Sequence, residues 1–248
     1  MIREFGRVLA ALACIAGLPV HLCLCVLIKT CDPGPALYRC WRLGKDRVPF
    51  GLLKYRTMKV NAPPLITAGL RMIVTQADPR VTRLGRWLRW GLDELPQMWN
   101  IVRGEMAWVG PRPDEAWMLP HYGRLIELRL SLIPGITGFA QVLHSRSLST
   151  AESFAIDLWY LSHRSFWLDT WVVLVTPLFM MGNRAIGHAR LRQLRNSPEF
   201  ELLRQRCDAE LSSGAFTAPS LAHAAAIAGA PKIESGGLGR DSPLRSHP

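Results

Sequence analysis

Two carboxylates standing side by side just ahead of a proline are the residues of this 248-residue chain best suited to chemistry. They lie in Leu92-Asp93-Glu94-Leu95-Pro96-Gln97-Met98-Trp99-Asn100. Proline is accepted in the first turn of a helix, where its missing N–H has no partner to lose. Leu95, Met98, Trp99 and Val102 then fall on one helical face. The spacing therefore predicts Asp93 and Glu94 at a helix N-terminus, where free N–H groups and the helix dipole favour negative charge. Ionised carboxylates so placed can hold a metal or attack phosphorus. The same pattern also reads as an N-cap and an ordinary acidic first turn.

Phosphate chemistry needs cations as well. Lys54 and Arg56 alternate with Tyr55 and so share one face of a strand, where they either contact phosphate or form a solvated edge. Arg112 stands in Gly110-Pro111-Arg112-Pro113, between two prolines that fix the backbone presenting it. Ala36 to Trp41 and Phe50 to Arg56 read as strands about a Gly44-Lys45-Asp46-Arg47 turn. Val60 to Ala77 reads as a loop. Arg80, Arg83, Arg86 and Arg89 recur every third residue among Val81, Leu84, Trp87 and Leu88. That is the pattern of a basic amphipathic helix on an anionic membrane surface, on nucleic acid, or merely in solvent. Asp114 to Leu132 reads as a helix with Arg124, Glu127 and Arg129 on its surface. Pro134 to Gly138 reads as a tight turn, and Phe139 to Leu143 as extended. Ala151 to Ser162 reads as a helix with Phe154, Leu158 and Leu161 on one face. Phe166 to Gly182 is apolar yet carries Asp169 and Pro177, which suits packing on a core and a membrane surface better than a second span.

The net charge of +11 calls for a polyanionic partner: phosphorylated substrate, anionic lipid or nucleic acid. Nine tryptophans and a mean hydropathy of +0.10 favour a membrane interface among these. Six cysteines without a CxxC pair supply no zinc site. No glycine-rich phosphate loop and no GxGxxG follows a strand, so neither a P-loop NTPase nor a dinucleotide-binding domain is supported.

Val8 to Ile28 contains no Asp, Glu, Lys or Arg. As a straight helix it would reach ~32 Å, enough to cross a bilayer. Gly17-Leu18-Pro19 interrupts it near the middle, and Pro19 should kink it. Arg3 and Arg7 precede the stretch, while Lys29, Arg39 and Arg42 follow it, so charge gives no reason to place its ends on opposite faces. A helix that enters, bends and returns satisfies both observations; a single-span anchor is the other reading.

Asp78-Pro79-Arg80-Val81-Thr82-Arg83-Leu84-Gly85-Arg86, Leu92 to Gln97 and Gly110-Pro111-Arg112-Pro113 together closely resemble the bacterial sugar transferase family. The resemblance extends through Lys54-Tyr55-Arg56-Thr57-Met58 and Pro134-Gly135-Ile136-Thr137-Gly138, over roughly residues 8 to 182. It implies a monotopic phosphoglycosyl transferase that loads a sugar phosphate from a UDP-sugar onto undecaprenyl phosphate. It also implies a proline-broken re-entrant membrane helix, although Leu18 stands where the family commonly has serine, as Gly91 does further on. Asp93 matches the family's nucleophile, which forms a covalent phosphosugar intermediate, and Glu94 matches its partner, as Mg²⁺ ligand or proton acceptor. Mg²⁺ is the implied cofactor, held by Asp93 and Glu94. Lys54, Arg56, Arg112 and Pro113 are the expected phosphate and substrate contacts, with Asp157 and Asp169 at places where the family has aspartates near the active site.

The expected fold is α+β and mainly helical: a re-entrant membrane helix (1–31), a catalytic domain (32–211) with a small β-hairpin and interfacial amphipathic helices, and a disordered tail (212–248). The expected location is the bacterial inner membrane, catalytic domain on the cytoplasmic face, with an anionic membrane surface as partner and no nucleic acid. The competing class is a non-catalytic, membrane-anchored basic protein that binds anionic lipid or nucleic acid and needs neither Asp93 nor Glu94.

Overall fold

The apolar N-terminal stretch forms two helices, α1 (Ile2–Ala16) and α2 (Leu18–Cys31), bent by 60° at Gly17. Pro19 sits in the first turn of α2, where no helical hydrogen bond is lost, so the chain breaks cleanly between two helices. Among the residues described by this computed structural model (2–62, 78–143 and 148–215), no single helix is long and apolar enough to cross a membrane. The bent pair satisfies that test jointly, by length and composition. Phe5, Val8, Leu12, Ile15, Leu18, Leu22 and Val26 all lie more than half exposed. Exposed apolar surface on this scale is characteristic of interaction or membrane-facing regions.

Both outer ends of the pair pack on the rest of the chain. In the first turns of α1, Arg7 Nε donates to the Val102 carbonyl (3.0 Å) and the Gly6 carbonyl accepts from the Trp108 indole (2.8 Å). Near the end of α2, Ile28 is buried beside Tyr55, and the Arg56 guanidinium donates to the Asp32 and Pro33 carbonyls. Between these ends His21 Nδ1 meets the Tyr55 hydroxyl.

The hairpin is β1 (Leu37–Leu43) with β2 (Pro49–Tyr55), antiparallel, Leu37 opposite Tyr55 and Leu43 opposite Pro49. One side of β2 supports α3 (Arg83–Leu88), whose Gly85 lies so close to the Thr57 carbonyl that a Cβ would stand 2.0 Å from it. The periodic arginines do not form one long helix. Thr82 caps α3 by accepting from the Gly85 N–H (2.8 Å); Arg80 lies before it, turned onto Asp78 (2.6 Å); Arg89 ends it, turned onto Thr57 (3.1 Å). Trp87 and Trp90 stack on one another and project into solvent, 74% and 78% exposed.

Next come α4 (Gln97–Arg103), ended by Gly104 at φ +79, and β3 (Ala107–Val109). The expected helix over Asp114 to Leu132 is broken into a 3₁₀ turn (Ala116–His121), α5 (Arg124–Glu127) and a second 3₁₀ turn (Leu128–Ser131), with Gly123 extended between them. Arg129, expected on the surface, is 4% exposed. The expected turn at Pro134 to Gly138 contains β4 (Gly135–Thr137), which pairs in parallel with β3, a non-local contact that local pattern does not reveal. Phe139 to Val142, expected extended, is the helical turn α6.

The main core gathers around α7 (Thr150–His163), with Phe154, Ala155, Ile156, Leu158 and Tyr160 buried. Leu161, expected beside them, is partly buried at its edge. Helix α8 (Phe166–Met180) contributes Val172 and Val175, and leaves Phe166, Trp167 and Leu174 exposed. The C-terminal part of the expected catalytic domain forms α9 (Ala185–Arg195) and α10 (Pro198–Glu210). It folds back on the core: Phe200 and Cys207 are fully buried, Arg195 pairs with Glu152 (2.6 Å), and the Glu210 carboxylate accepts from the Leu125 and Ile126 N–H groups. The expected disordered tail (212–248) begins inside a π-helical turn, Leu211–Ala215. Its remainder (216–248) lies outside the described residues, as do 63–77 of the expected loop and 144–147.

Candidate active site

Asp93 and Glu94 lie in a 3₁₀ turn, Leu92–Glu94, one step ahead of α4 and not in its first turn. Gly91 starts the turn at φ +114, in the left-handed region that only glycine adopts without strain. Pro96 is the residue flanking α4, and the helix buries Gln97, Asn100 and Ile101. Trp99, expected on the buried face, is 47% exposed, with its ring under the Arg103 guanidinium. The helix is only seven residues long, and its polar Gln97 and Asn100 take the inner positions that periodicity assigned to apolar groups.

Asn100 explains the exchange. Its side chain is fully buried against the outer edge of β2: Oδ1 accepts from the Leu53 N–H (3.0 Å) and Nδ2 donates to the Gly51 carbonyl (2.9 Å) and to Glu105 (2.7 Å). The carboxamide thus acts as one peptide unit of a missing neighbouring strand, satisfying an edge that would otherwise be orphaned. This fastening sets α4 against β2, and so the carboxylate turn against Lys54.

Lys54 Nζ is 2.6 Å from Glu94 Oε1, and Arg112 Nη2 approaches the same oxygen at 3.3 Å. Burial alone would push the Glu94 carboxyl up, but Arg112 and Lys54 together outweigh it and hold the group down at about 2. Asp93 goes the other way. Burial raises it, and although Lys54 pulls it back, the charge of Glu94 adds to the rise. Among the described residues no hydrogen bond reaches the Asp93 carboxylate. The pair is therefore differentiated: Glu94 is a fixed anion pinned by two cations, while Asp93 is more basic and free to move onto an electrophile. Arg89 adds positive field toward both Asp93 and Asp78. A 290 Å³ concavity is lined by Lys59, Asp78, Thr82, Arg83 and Arg86 among others.

Two adjacent carboxylates suit Mg²⁺, which takes one or two protein carboxylates and completes its shell with phosphate oxygens and water. No group of three or more His, Cys, Asp or Glu side chains among the described residues forms a denser metal site. Asp93 and Glu94 would hold the ion.

The remaining candidates occupy other places. Arg56 is 7% exposed and directed at the end of α2, where it also pairs with Asp32 (3.5 Å). Pro113 is buried in the segment that presents Arg112. Asp157 is buried and bound twice by Arg129, at 2.6 and 3.1 Å. Asp169 accepts from the Tyr160 hydroxyl and from Arg164 (3.3 Å). Lys54, Glu94 and Arg112 are thus brought into direct contact beside Asp93, whereas the bonds of Arg56, Asp157 and Asp169 go elsewhere.

A profile of the bacterial sugar transferase family matches residues 1–183. The chain belongs to the bacterial sugar transferase family. It is 38% identical, over 74% of its length, to the UDP-glucose:undecaprenyl-phosphate glucose-1-phosphate transferase of Escherichia coli, and spans 40% of that protein. It is 39% identical, over 70% of its length, to the protein of the same description from Caulobacter vibrioides, spanning 67% of it. With the exopolysaccharide production protein ExoY of Sinorhizobium fredii it shares 36% identity over 70% of its length and 82% of the relative's. Other relatives of the sugar transferase chain, from Erwinia amylovora and Xanthomonas campestris, are also spanned for only 39% and 38% of their lengths.

Asn100 and Arg129 of this sugar transferase carry no role that the sequence pattern announces. An amide at an inner helical position could have flagged Asn100, since a buried amide demands partners. Arg129 gave no comparable sign, because its partners lie 15 and 28 residues away in sequence.

Proposed function

We propose that the chain transfers a sugar-1-phosphate from a UDP-sugar to undecaprenyl phosphate, releasing UMP, as the initiating step of a bacterial polysaccharide or glycoconjugate. The observation that carries this reading is the divided carboxylate pair, Asp93 open and Glu94 clamped between Lys54 and Arg112. The named activities of the relatives from Escherichia coli and Caulobacter vibrioides are of this kind.

An oxygen of Asp93 attacks the β-phosphorus of the donor. The bond from that phosphorus to the bridging oxygen breaks, its electron pair leaves with UMP, and the sugar phosphate stays on Asp93 as an acyl phosphate. The lipid phosphate then attacks the same phosphorus and the Asp93 carboxylate departs, so one difficult displacement becomes two. Lys54 and Arg112 stabilise negative charge on the phosphoryl oxygens, and Glu94 keeps both aimed at the reacting centre. Mg²⁺, when bound, would neutralise further charge on those oxygens.

Placement supports the same reading. A water-soluble donor and a lipid acceptor meet only at an interface, and the bent α1–α2 pair, with both ends packed on the domain that carries Asp93, suits a re-entrant anchor in the inner membrane. The catalytic domain then faces the cytoplasm, with Trp87, Trp90, Trp167 and the arginines of α3 at the anionic surface.

The test is UMP release from a panel of UDP-sugars by detergent-solubilised protein with undecaprenyl phosphate and Mg²⁺. Release with one donor, lost on chelation, is expected. No release from folded protein with any nucleotide sugar would transfer the weight to a non-catalytic basic protein bound to anionic lipid or nucleic acid. For topology, single cysteines at residue 2 and in the catalytic domain should be labelled from the same face of an oriented membrane; labelling from opposite faces would refute re-entry.

A further inference from the structure

The segment Gly110 to Asp114, which presents Arg112, has no regular structure, and among the described residues its backbone groups are held by four bonds. The Gly110 N–H donates to Thr137 (3.0 Å), and the Pro111 carbonyl accepts from Gly135 (3.0 Å). The Asp114 carbonyl accepts from Leu43 (2.8 Å). Of these backbone bonds only the fourth comes from a side chain: Arg129 Nη2 donates to the carbonyl of Arg112 itself, at 3.1 Å. With prolines on both sides of Arg112, neither Pro111 nor Pro113 has an N–H to offer, so this carbonyl bond fixes the peptide from which the Arg112 side chain leaves.

Arg129 is equipped to be rigid. It is 4% exposed, its guanidinium lies 4.8 Å from the centre of the Phe154 ring, and its other nitrogens bond Asp157, the Asp114 carboxylate and the Tyr122 hydroxyl. Asp157 spends Oδ2 on two bonds from Arg129 and is itself 4% exposed, closed off from any ligand. A planar guanidinium can reach all these partners together, whereas an ammonium cannot.

Resting on the reaction proposed above, we infer that Arg129 is a positioning residue that aims Arg112 at the reacting phosphate, and that Asp157 serves by holding Arg129 and does not touch substrate. The line of contact runs from Asp157 to Arg129, to the Arg112 carbonyl, and through the Arg112 side chain to Glu94.

A double-mutant cycle tests this. Arg129→Lys keeps the charge that Asp157 requires but cannot also reach the Arg112 carbonyl. It is expected to lower kcat/KM for the UDP-sugar about 10- to 100-fold, the scale of a misplacement near 1 Å. In an Arg112→Ala background the same change should cost no more than about twofold, because the residue it acts through is gone. Equal losses in both backgrounds would overturn the inference, as would an Asp157→Asn variant that raises KM for the donor undiminished in the Arg112→Ala chain. Hydrogen exchange on the full-length protein without substrate gives a readout independent of turnover. In Arg129→Lys the peptide covering 104–119 should exchange at least about tenfold faster, with α4 and β2 unchanged; unaltered exchange there would also refute the positioning role. Should Arg129→Lys fail to fold, Tyr122→Phe, which removes one hydroxyl partner and spares both ion pairs, enters the same cycle with an expected loss of about three- to fivefold, again absent without Arg112. If no donor is turned over, the reaction fails, and the exchange measurement still decides whether Arg129 orders the segment.

Discussion

Replacing Asp93 by Asn is expected to abolish UMP release, by at least roughly 10³-fold, the scale on which removal of a covalent nucleophile acts. The fold should be left standing. Asn has nearly the same shape, and among the described residues the Asp93 carboxylate accepts no hydrogen bond, so no donor is orphaned. Its negative charge also opposes that of Glu94, and burial disfavours it, so neutralising it removes a cost. Turnover by the Asp93→Asn protein and its thermal unfolding midpoint in detergent check both halves. A folded variant with near-normal release would sink the nucleophile assignment. A Glu94→Gln comparison separates the two carboxylates, since Glu94 is the one that clamps Lys54 and Arg112.

Asn100→Leu should have the largest effect on stability of any single change near the site. The side chains are close in size, so the loss is of hydrogen bonds and not of packing. The Leu53 N–H and the Gly51 carbonyl, on the outer edge of β2, would lose the group that now serves both, and Glu105 would lose its bond as well. Leaving the buried Gly51 carbonyl and the half-buried Leu53 N–H without partners costs about 2–5 kcal/mol together, against a net stability on the order of 5–15 kcal/mol for a domain of this kind. Denaturant titration should show that loss. Because the same bonds set α4 against β2, activity should fall even where the variant stays folded. A midpoint equal to that of the parent chain would mean that this edge of β2 does not need its side-chain partner.

The contrast between Asp93 and Asn100 shows which kinds of information local sequence carries. Asp93, Glu94 and Arg112 are legible as candidates because the chemistry they could do depends on residue type and on nearby prolines, both of which are local. The break at Gly17-Leu18-Pro19 is legible for the same reason: Pro19 cannot continue a helix from Ile15 at full hydrogen bonding, and the chain separates there into α1 and α2. The hairpin of β1 and β2 also followed from an apolar pattern and a turn.

The failures share one cause. Phe139 to Val142 turned helical, Gly135 to Thr137 became a strand paired with Ala107 to Val109, and Trp99 yielded the inner face of α4 to Asn100. Each outcome is decided by a partner far away in the chain, whose backbone groups must be satisfied once buried. Arg129 is the clearest instance. Alone in sequence it is a surface charge; only when α7 brings Asp157 beneath it, and the 110–114 segment lays the Arg112 carbonyl over it, does burial become favourable. The sequence by itself therefore determined the candidate reactive groups, the break in the apolar N-terminal stretch and the family. Tertiary structure alone decided which charges reach Glu94 and which are spent on scaffolding, because an ion pair depends on distance in space and a side-chain pattern reports only distance along the chain.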